Sequence, residues 1–474
     1  MFKSVQEVLQ YMQDHSIQMV DFKMVDINGA YRHVTIPASH FSEQTVREGI
    51  GFDASNYGYA VVEKSDMVFL PDIATAVIDP FCDVPTLSMT GNVMTIRNGI
   101  YEPLGQDPRN IVLAAEKYMR DSGVADKVLV LPEFEFYLFD EAGWQMDHHT
   151  QSAHVNYRNA HWNSNTQGSG NVVPEHKNYH IAMPFDTAYD CRSQMVLRME
   201  EMGIPVKYHH PEVGAGGQFE IEPQLGELSR MADASMMIKY IIRNTARQYG
   251  MCATFMPKPV AYEAGSGMHV HILLMKGDTP VFSDDEGYSH LSKEAHYFMG
   301  GLLKHIRSLC ALTNPSVNSF KRLVPGFEAP VTIGYATSNR SAVIRIPAYA
   351  RTPKMRRFEL RNPDATCNPY FAFAAILMAG LDGIRNKIDP HANGWGPFDC
   401  NLYTLPEEEK AKLEHLPERL EDALDALEAD HAYLMEGDVF PEELLRNFIA
   451  RKRKECAELS RIPTVSEFDR YFNC

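Results

Sequence analysis

The stretch Val128-Leu129-Val130-Leu131-Pro132-Glu133-Phe134-Glu135-Phe136-Tyr137-Leu138 constrains this chain more than any other. Its apolar residues fit a strand inside a sheet, predicted over 128–139. Period two places Glu133 and Glu135 on one face, and Phe134 and Phe136 on the other. Two like charges side by side repel. The acidic face therefore belongs in water or around a cation, and taken alone a solvent-facing strand edge is the simpler of the two.

The rest of the chain bounds the problem. Its 474 residues allow two or three domains at ~150 residues each. A hydrophobic fraction of 45% with 23% charged residues excludes a mostly disordered chain and a fibrous repeat. The net charge of −17 argues against nucleic acid or an anionic membrane as partner. The eight cysteines form no C-x-x-C pair, which predicts free thiols, a reducing compartment and no structural zinc. The first residues lack an apolar signal core, and the most apolar helix candidate, 370–381, is too short to span a bilayer. A cytoplasmic protein is expected.

Along the chain, Val5, Val8, Leu9 and Met12 recur at helical spacing. Segments 17–26 and 31–37 flank Asn28-Gly29, a hairpin signal. Residues 51–58 read as loop, 66–73 as strand and 98–107 as linker. Asp107 and Pro108 can open a helix that Gly123 ends. Strands then alternate with long helices, predicted near 187–202, 229–249, 292–312, 369–386, 409–434 and 441–457. Strands are predicted near 206–213, 217–223, 268–275, 341–347 and 356–361. The polar stretch 163–176 is a long loop, and 405–460 reads as solvated helical surface.

Three further constellations carry chemistry. Glu212 and Glu220 flank Gly214-Ala215-Gly216-Gly217, so a hairpin there brings the two carboxylates together, with Glu222 following at period two. His269 and His271 share one face of a strand opened by Gly265-Ser266-Gly267-Met268; they are either paired surface histidines or a metal or phosphate contact. Arg357, Glu359 and Arg361 alternate opposite Phe358 and Leu360, with Lys321, Arg322, Arg340 and Arg345 nearby. Such a row needs water, acidic partners, or a polyanion with a metal. Together, five carboxylates and a histidine suggest two or more divalent ions, Mg²⁺ or Mn²⁺ rather than zinc. The arginines suggest a transferring phosphoryl group and a carboxylate substrate. Neither G-x-x-x-x-G-K-[ST] nor G-x-G-x-x-G occurs, so nucleotide binding requires another scaffold.

These residues resemble type I glutamine synthetases. The resemblance rests on Gly51-Phe52-Asp53-Ala54-Ser55, Pro132-Glu133-Phe134-Glu135-Phe136, the 212–220 segment and Ala253-Thr254-Phe255-Met256-Pro257-Lys258-Pro259. It continues through Gly265-Ser266-Gly267-Met268-His269, the 321–330 segment, Asn339-Arg340-Ser341 and 356–368. It implies an α+β fold, with an N-terminal β-grasp domain (1–103) and a C-terminal catalytic α/β domain of the glutamine-synthetase type (104–474). It also implies a dodecamer of two hexameric rings, with each site shared between ring neighbours and the tail 463–474 clasping the opposite ring.

The resemblance further implies glutamine formation from glutamate, ammonium and ATP through γ-glutamyl phosphate, with two or three Mg²⁺ or Mn²⁺ per site. Glu135, Glu212 and Glu220 would hold one ion, and Glu133, His269 and Glu359 another. Arg322, Gly265, Arg340 and Arg361 would receive glutamate and the phosphoryl group. His271, Arg345, Lys354 and Arg357 would face the nucleotide. Asp53 of a neighbouring subunit would deprotonate ammonium beside Tyr179 and Glu212, and Glu328 would close over the intermediate.

Some positions depart from the family pattern. Ala264 replaces an asparagine that contacts substrate, Asn56 replaces a serine, and Cys400 replaces a lysine. Tyr403 matches a tyrosine adenylylated in some relatives. Two rivals stand beside the main expectation. A γ-glutamyl–amine ligase using an organic amine is left open by Ala264 and Asn56. A non-catalytic relative is disfavoured, because all six metal positions are present.

Overall fold

The computed structural model describes residues 2–59, 65–165, 170–327, 329–400, 402 and 405–474. Glu328 and Tyr403 lie outside the described residues.

The first hundred residues build a mixed sheet. Met19–Val25 pairs antiparallel with Tyr31–Pro37, and the turn is closed by Asp26 Oδ1, which accepts from the backbone of Asn28 and Ala30 at 3.0 Å each. Gly29 supplies the positive φ of +77° that this turn needs. Thr86–Arg97 runs parallel to Met19–Val25 and antiparallel to Asp66–Pro71, which in turn carries Ile50–Asp53 at the sheet edge. Two expectations are corrected here. The 51–58 segment is not all loop, because Ile50–Asp53 pairs in register with Asp66–Phe69. The 98–107 linker contains the strand Ile100–Pro103, folded back onto Thr86–Arg97 around Asn98-Gly99. Hydrogen-bonding an exposed edge overrides the turn-rich composition there.

The predicted strand over 128–139 is two strands in two sheets. Lys127–Pro132 pairs with Val270–Lys276. Phe134–Phe139 pairs with Gln218–Pro223 and Cys252–Thr254. The chain changes sheets at Pro132-Glu133, where proline has no N–H to continue the ladder. The seam is held by Glu133 N donating to His269 O at 2.9 Å and Glu135 N donating to Gly267 O at 3.2 Å. The first sheet continues through Phe358–Leu360, Ala342–Ile346 and Thr332–Thr337. The second ends in Val206–Pro211. A hairpin of Glu141–Met146 and Gln151–Asn156, absent from the sequence expectation, projects from the second sheet's central strand.

Helices cover the sheets. Pro369–Asn386 is buried at every residue from Pro369 to Gly383. A helix apolar all round belongs inside a large core, and no helix among the described residues is long and apolar enough to cross a membrane. It crosses Lys293–Thr313 at Gly301 and Gly383, where a Cβ on either glycine would stand 2.7 Å from the other's Cα. The helix predicted over 409–434 is broken into Glu407–Lys410, Leu420–Ala429 and Ala432–Met435. Pro417 disfavours helix around it, and Leu416 N instead donates to Val331 O at 2.9 Å beside the strand Thr332–Thr337. Leu420, Ala423, Leu424 and Leu427 are buried, so this region is not all solvated surface. Arg109, at the start of Pro108–Asp121, ties the two parts of the chain together. It reaches Asp233 at 3.0 Å, Asp72 at 2.6 Å and Asn92 at 2.5 Å.

Candidate active site

Cross-strand register builds the site. In the first sheet, Arg345 faces Glu359 and Glu359 faces His271. In the second, His210 faces Glu220 and Glu220 faces Glu135. Glu133 and His269 stand at the seam between these two rows. One cavity of about 250 Å³ opens there. Glu133, Glu135, Glu212, Glu220, His269 and Glu359 all line it, with Tyr179, Gly265, Arg322, Arg340, Arg345 and Arg361.

Glu133 and Glu135 are buried, 8% and 7% exposed, which overturns the solvent-facing strand edge. His269 and His271 are likewise buried rather than a surface pair. Glu133 contacts His269 Nδ1 and His271 Nε2, each at 2.8 Å. His269 also lies 3.6 Å from Glu359 and 3.7 Å from Glu135. Glu359 accepts from Arg345 at 2.6 Å and from Arg361 at 2.5 Å. Burial raises the Glu359 carboxyl, but the Arg361 guanidinium together with the His271 and His269 imidazoles outweighs it, and the group falls to about 2. Burial likewise opposes ionisation of Glu133, yet the flanking imidazoles hold it well below the ordinary range.

Glu212 and Glu220 behave in the opposite sense. Desolvation, then repulsion from Glu135 and from Glu220, pushes Glu212 well above its ordinary value. Desolvation, then Glu133 and Glu135, does the same to Glu220. Carboxylates that destabilise one another's ionised form inside a cavity fit a cation between them. Ligand atoms of His210, Glu212 and Glu220 lie within 4.8 Å of one another, as do those of Glu133, His271 and Glu359. Such groups of carboxylates and imidazoles suit a divalent cation.

The glycine turn admits arginine. Arg322 packs against Gly265, where a Cβ would stand 2.7 Å from its Cγ. Its guanidinium donates to Asn362 O at 2.8 Å and Arg361 O at 3.1 Å, which aims it along the cavity wall. Arg357 donates to His271 Nδ1 at 3.2 Å and so fixes the ring whose Nε2 meets Glu133. Lys354 is exposed and does not line the cavity. Asp53 is exposed on the N-terminal sheet and does not line it either. Its oxygens accept from Ser55 N at 2.8 Å and Ser55 Oγ at 3.1 Å. The backbone bond from Ser55 lowers the Asp53 carboxyl most, so it is ionised near neutral pH.

Residues 105–471 match the glutamine synthetase catalytic domain, and residues 16–96 match the glutamine synthetase beta-grasp domain. The chain belongs to the glutamine synthetase family. A glutamine synthetase of Frankia alni is 44% identical over 480 aligned residues, covering 100% of both chains. A 3-hydroxylaminophenol mutase of Cupriavidus pinatubonensis is 41% identical, again over 100% of both. The cryo-EM structure of Plasmodium falciparum glutamine synthetase is 27% identical and superposes with a TM-score of 0.88, covering 99% of each chain.

Sequence reasoning missed Tyr208, His210, Gln218, Phe327 and Tyr349, which also line the cavity. Tyr208, His210 and Glu212 alternate at period two, a signal that could have found the first two. Tyr349 stands 5.9 Å from Arg345 and 5.8 Å from Arg357, a placement that no local pattern carries.

The raised carboxyls give a pH expectation. For Glu212 and Glu220 the folded state binds protons more tightly than the unfolded state, so their contribution to stability is full below the ordinary carboxylate range. It is lost as pH rises through the raised values. In chelator, the unfolding temperature should therefore fall as pH rises above the ordinary carboxylate range. Added Mn²⁺ should offset that fall, because cation binding needs the deprotonated form. Thermal unfolding of the chain and of Glu220→Gln checks this: the variant should show a flatter pH dependence in chelator.

Proposed function

We propose that the chain is a glutamate–ammonia ligase, forming glutamine from glutamate and ammonia with ATP through a γ-glutamyl phosphate intermediate. The observation that carries this is the convergence of six carboxylate and imidazole ligands on one buried cavity, in a chain 44% identical throughout to a glutamine synthetase.

In this reading Glu135, Glu212 and Glu220 hold one divalent ion, and Glu133, His269 and Glu359 a second. The ions are Mg²⁺ or Mn²⁺, two or three per site, and when bound they neutralise phosphate charge. Arg322, Gly265, Arg340 and Arg361 bind glutamate and the transferring phosphoryl group. His271, Arg345, Lys354 and Arg357 serve the nucleotide, with Arg357 orienting His271. A γ-carboxylate oxygen of glutamate attacks the terminal phosphorus of ATP, and ADP leaves. Arg340 and Arg361 offset the charge that builds on the phosphoryl oxygens. Ammonium then gives a proton to Asp53, ammonia attacks the acyl carbon, and phosphate departs. Glu328 covers the acyl phosphate and excludes water.

Asp53 serves the site of a neighbouring subunit, which accords with its exposure and with its place on the N-terminal sheet. The assembly is a dodecamer of two hexameric rings. The C-terminal helix Val465–Tyr471 supports this, because it leaves Val465, Phe468, Tyr471 and Phe472 more than half exposed on a tail that a second subunit can cover. Residues 1–103 form the β-grasp domain and 104–474 the catalytic domain, and the enzyme works in the cytoplasm.

Ala264 lines the cavity and contributes only a methyl group, while its carbonyl accepts from Tyr137 Oη at 2.6 Å. Choice of nucleophile is therefore the test. Phosphate release from ATP with glutamate, measured with ammonium and with a panel of primary amines, should show the highest kcat/KM for ammonium. A higher value for an organic amine overturns the reading in favour of a γ-glutamyl–amine ligase.

A further inference from the structure

A second cluster of ligand side chains lies outside the carboxylate cavity, where the polar segment around 161–176 meets the turn that precedes Gly265. Glu263 is 1% exposed. Its Oε2 accepts from Ala215 N at 3.2 Å. Its Oε1 receives no hydrogen bond, and it faces His161 Nδ1, equally buried and unpaired, at 3.4 Å. His176 stands on the other side, with Nδ1 3.3 Å from Glu263 Oε2 and Nε2 3.8 Å from Glu175 Oε1. Ligand atoms of His161, Glu175 and Glu263 lie within 4.8 Å of one another.

Leaving a buried donor or acceptor unsatisfied costs about 1–3 kcal/mol. Here two such atoms point at each other without bonding, so the arrangement is incomplete as a hydrogen-bond network. It offers three ligand atoms to a cation, from His161, Glu175 and Glu263, with His176 beside them. Zinc bonds of 2.0–2.2 Å in a tetrahedron place neighbouring donors about 3.3–3.6 Å apart. The contact of Glu263 Oε1 with His161 Nδ1 falls at 3.4 Å, and that of its other oxygen, Oε2, with His176 Nδ1 at 3.3 Å.

We propose that His161, Glu175, His176 and Glu263 form a site for a divalent transition-metal ion of the zinc class. Two imidazoles with two carboxylates favour zinc, cobalt or nickel over magnesium, which prefers oxygen donors and retained water. Glu263 and the buried Nδ1 of His161 supply the inner side of the shell, while the exposed Glu175 and His176 supply an entry path. None of the four lines the carboxylate cavity. The site nevertheless touches its mouth: the His176 ring meets Phe327 at 6.0 Å, and Phe327 and Ala264 line the cavity. A bound ion would join the 161–176 segment to the turn that carries Gly265. The site stands independently of the reaction proposed above.

The test uses the full chain in saturating Mg²⁺, which occupies the oxygen-rich cavity, titrated with Co²⁺. Equilibrium dialysis gives the stoichiometry, and visible absorption reports a tetrahedral Co²⁺ centre. The wild-type chain should bind one tetrahedral Co²⁺, displaced by Zn²⁺, beyond any Co²⁺ that replaces Mg²⁺ in the carboxylate cavity. His161→Ala and Glu263→Ala should each weaken that binding by about tenfold or more. Circular dichroism checks that the Glu263 variant folds, and the exposed Glu175→Ala gives the same readout with the buried Glu263 intact. A wild-type chain without the tetrahedral band, or variants that keep its stoichiometry and affinity, overturns the proposal.

Discussion

Replacing Glu359 with alanine should lower turnover by about a hundredfold or more, the scale seen when a group that stabilises phosphoryl charge is removed. Two effects act together. In the proposed assignment Glu359, beside His269 and Glu133, is a ligand of the second ion, so its loss would remove a ligand. It also joins Arg345 and Arg361, and without it two guanidinium groups on a buried wall lose their shared carboxylate. Glu135→Ala should lower turnover on the same scale, because in the proposed assignment it is a ligand of the first ion and its charge also acts on the buried Arg322. Glu359→Gln separates the terms: it keeps the shape, so stability should recover more than activity. The measurement is phosphate release at graded Mg²⁺ and Mn²⁺. Near-normal turnover of the chelator-treated chain would refute the metal assignment.

Asp53→Asn should lower amide formation by about a hundredfold or more, the usual scale for losing a general base, while nucleotide affinity stays nearly unchanged. The expectation rests on a carboxylate kept ionised by Ser55 and placed on an exposed strand end, away from the cavity of its own chain. The same placement predicts complementation. Chains carrying Asp53→Ala and chains carrying Arg340→Ala should each be inactive alone, and mixed assemblies should regain part of the activity. No recovery in assemblies shown to be mixed would count against a site shared between subunits. Sedimentation should show a particle far larger than the single chain.

Local pattern determined much of this protein. The period-two runs at 133–135, 269–271 and 357–361 state which side chains share a face, because side-chain alternation in a strand is a property of the backbone alone. Asp107 and Pro108 open a helix by local capping chemistry, and the turn at Asn28-Gly29 needs only its own residues and Asp26. The family resemblance added the roles expected of these residues. What the one-dimensional pattern left open was the environment of each charged face. Taken alone, Glu133 and Glu135 suit water better than a cation, until Pro132 sends the chain from one sheet into another and buries both at the seam. His210 joins Glu220, and Tyr349 joins Arg345 and Arg357, only once separate segments are brought alongside each other. The linker that is a strand, the helix that Pro417 breaks and the unpaired contact between His161 and Glu263 were decided in the same way. Burial and long-range pairing set their energies, and both depend on residues distant in sequence.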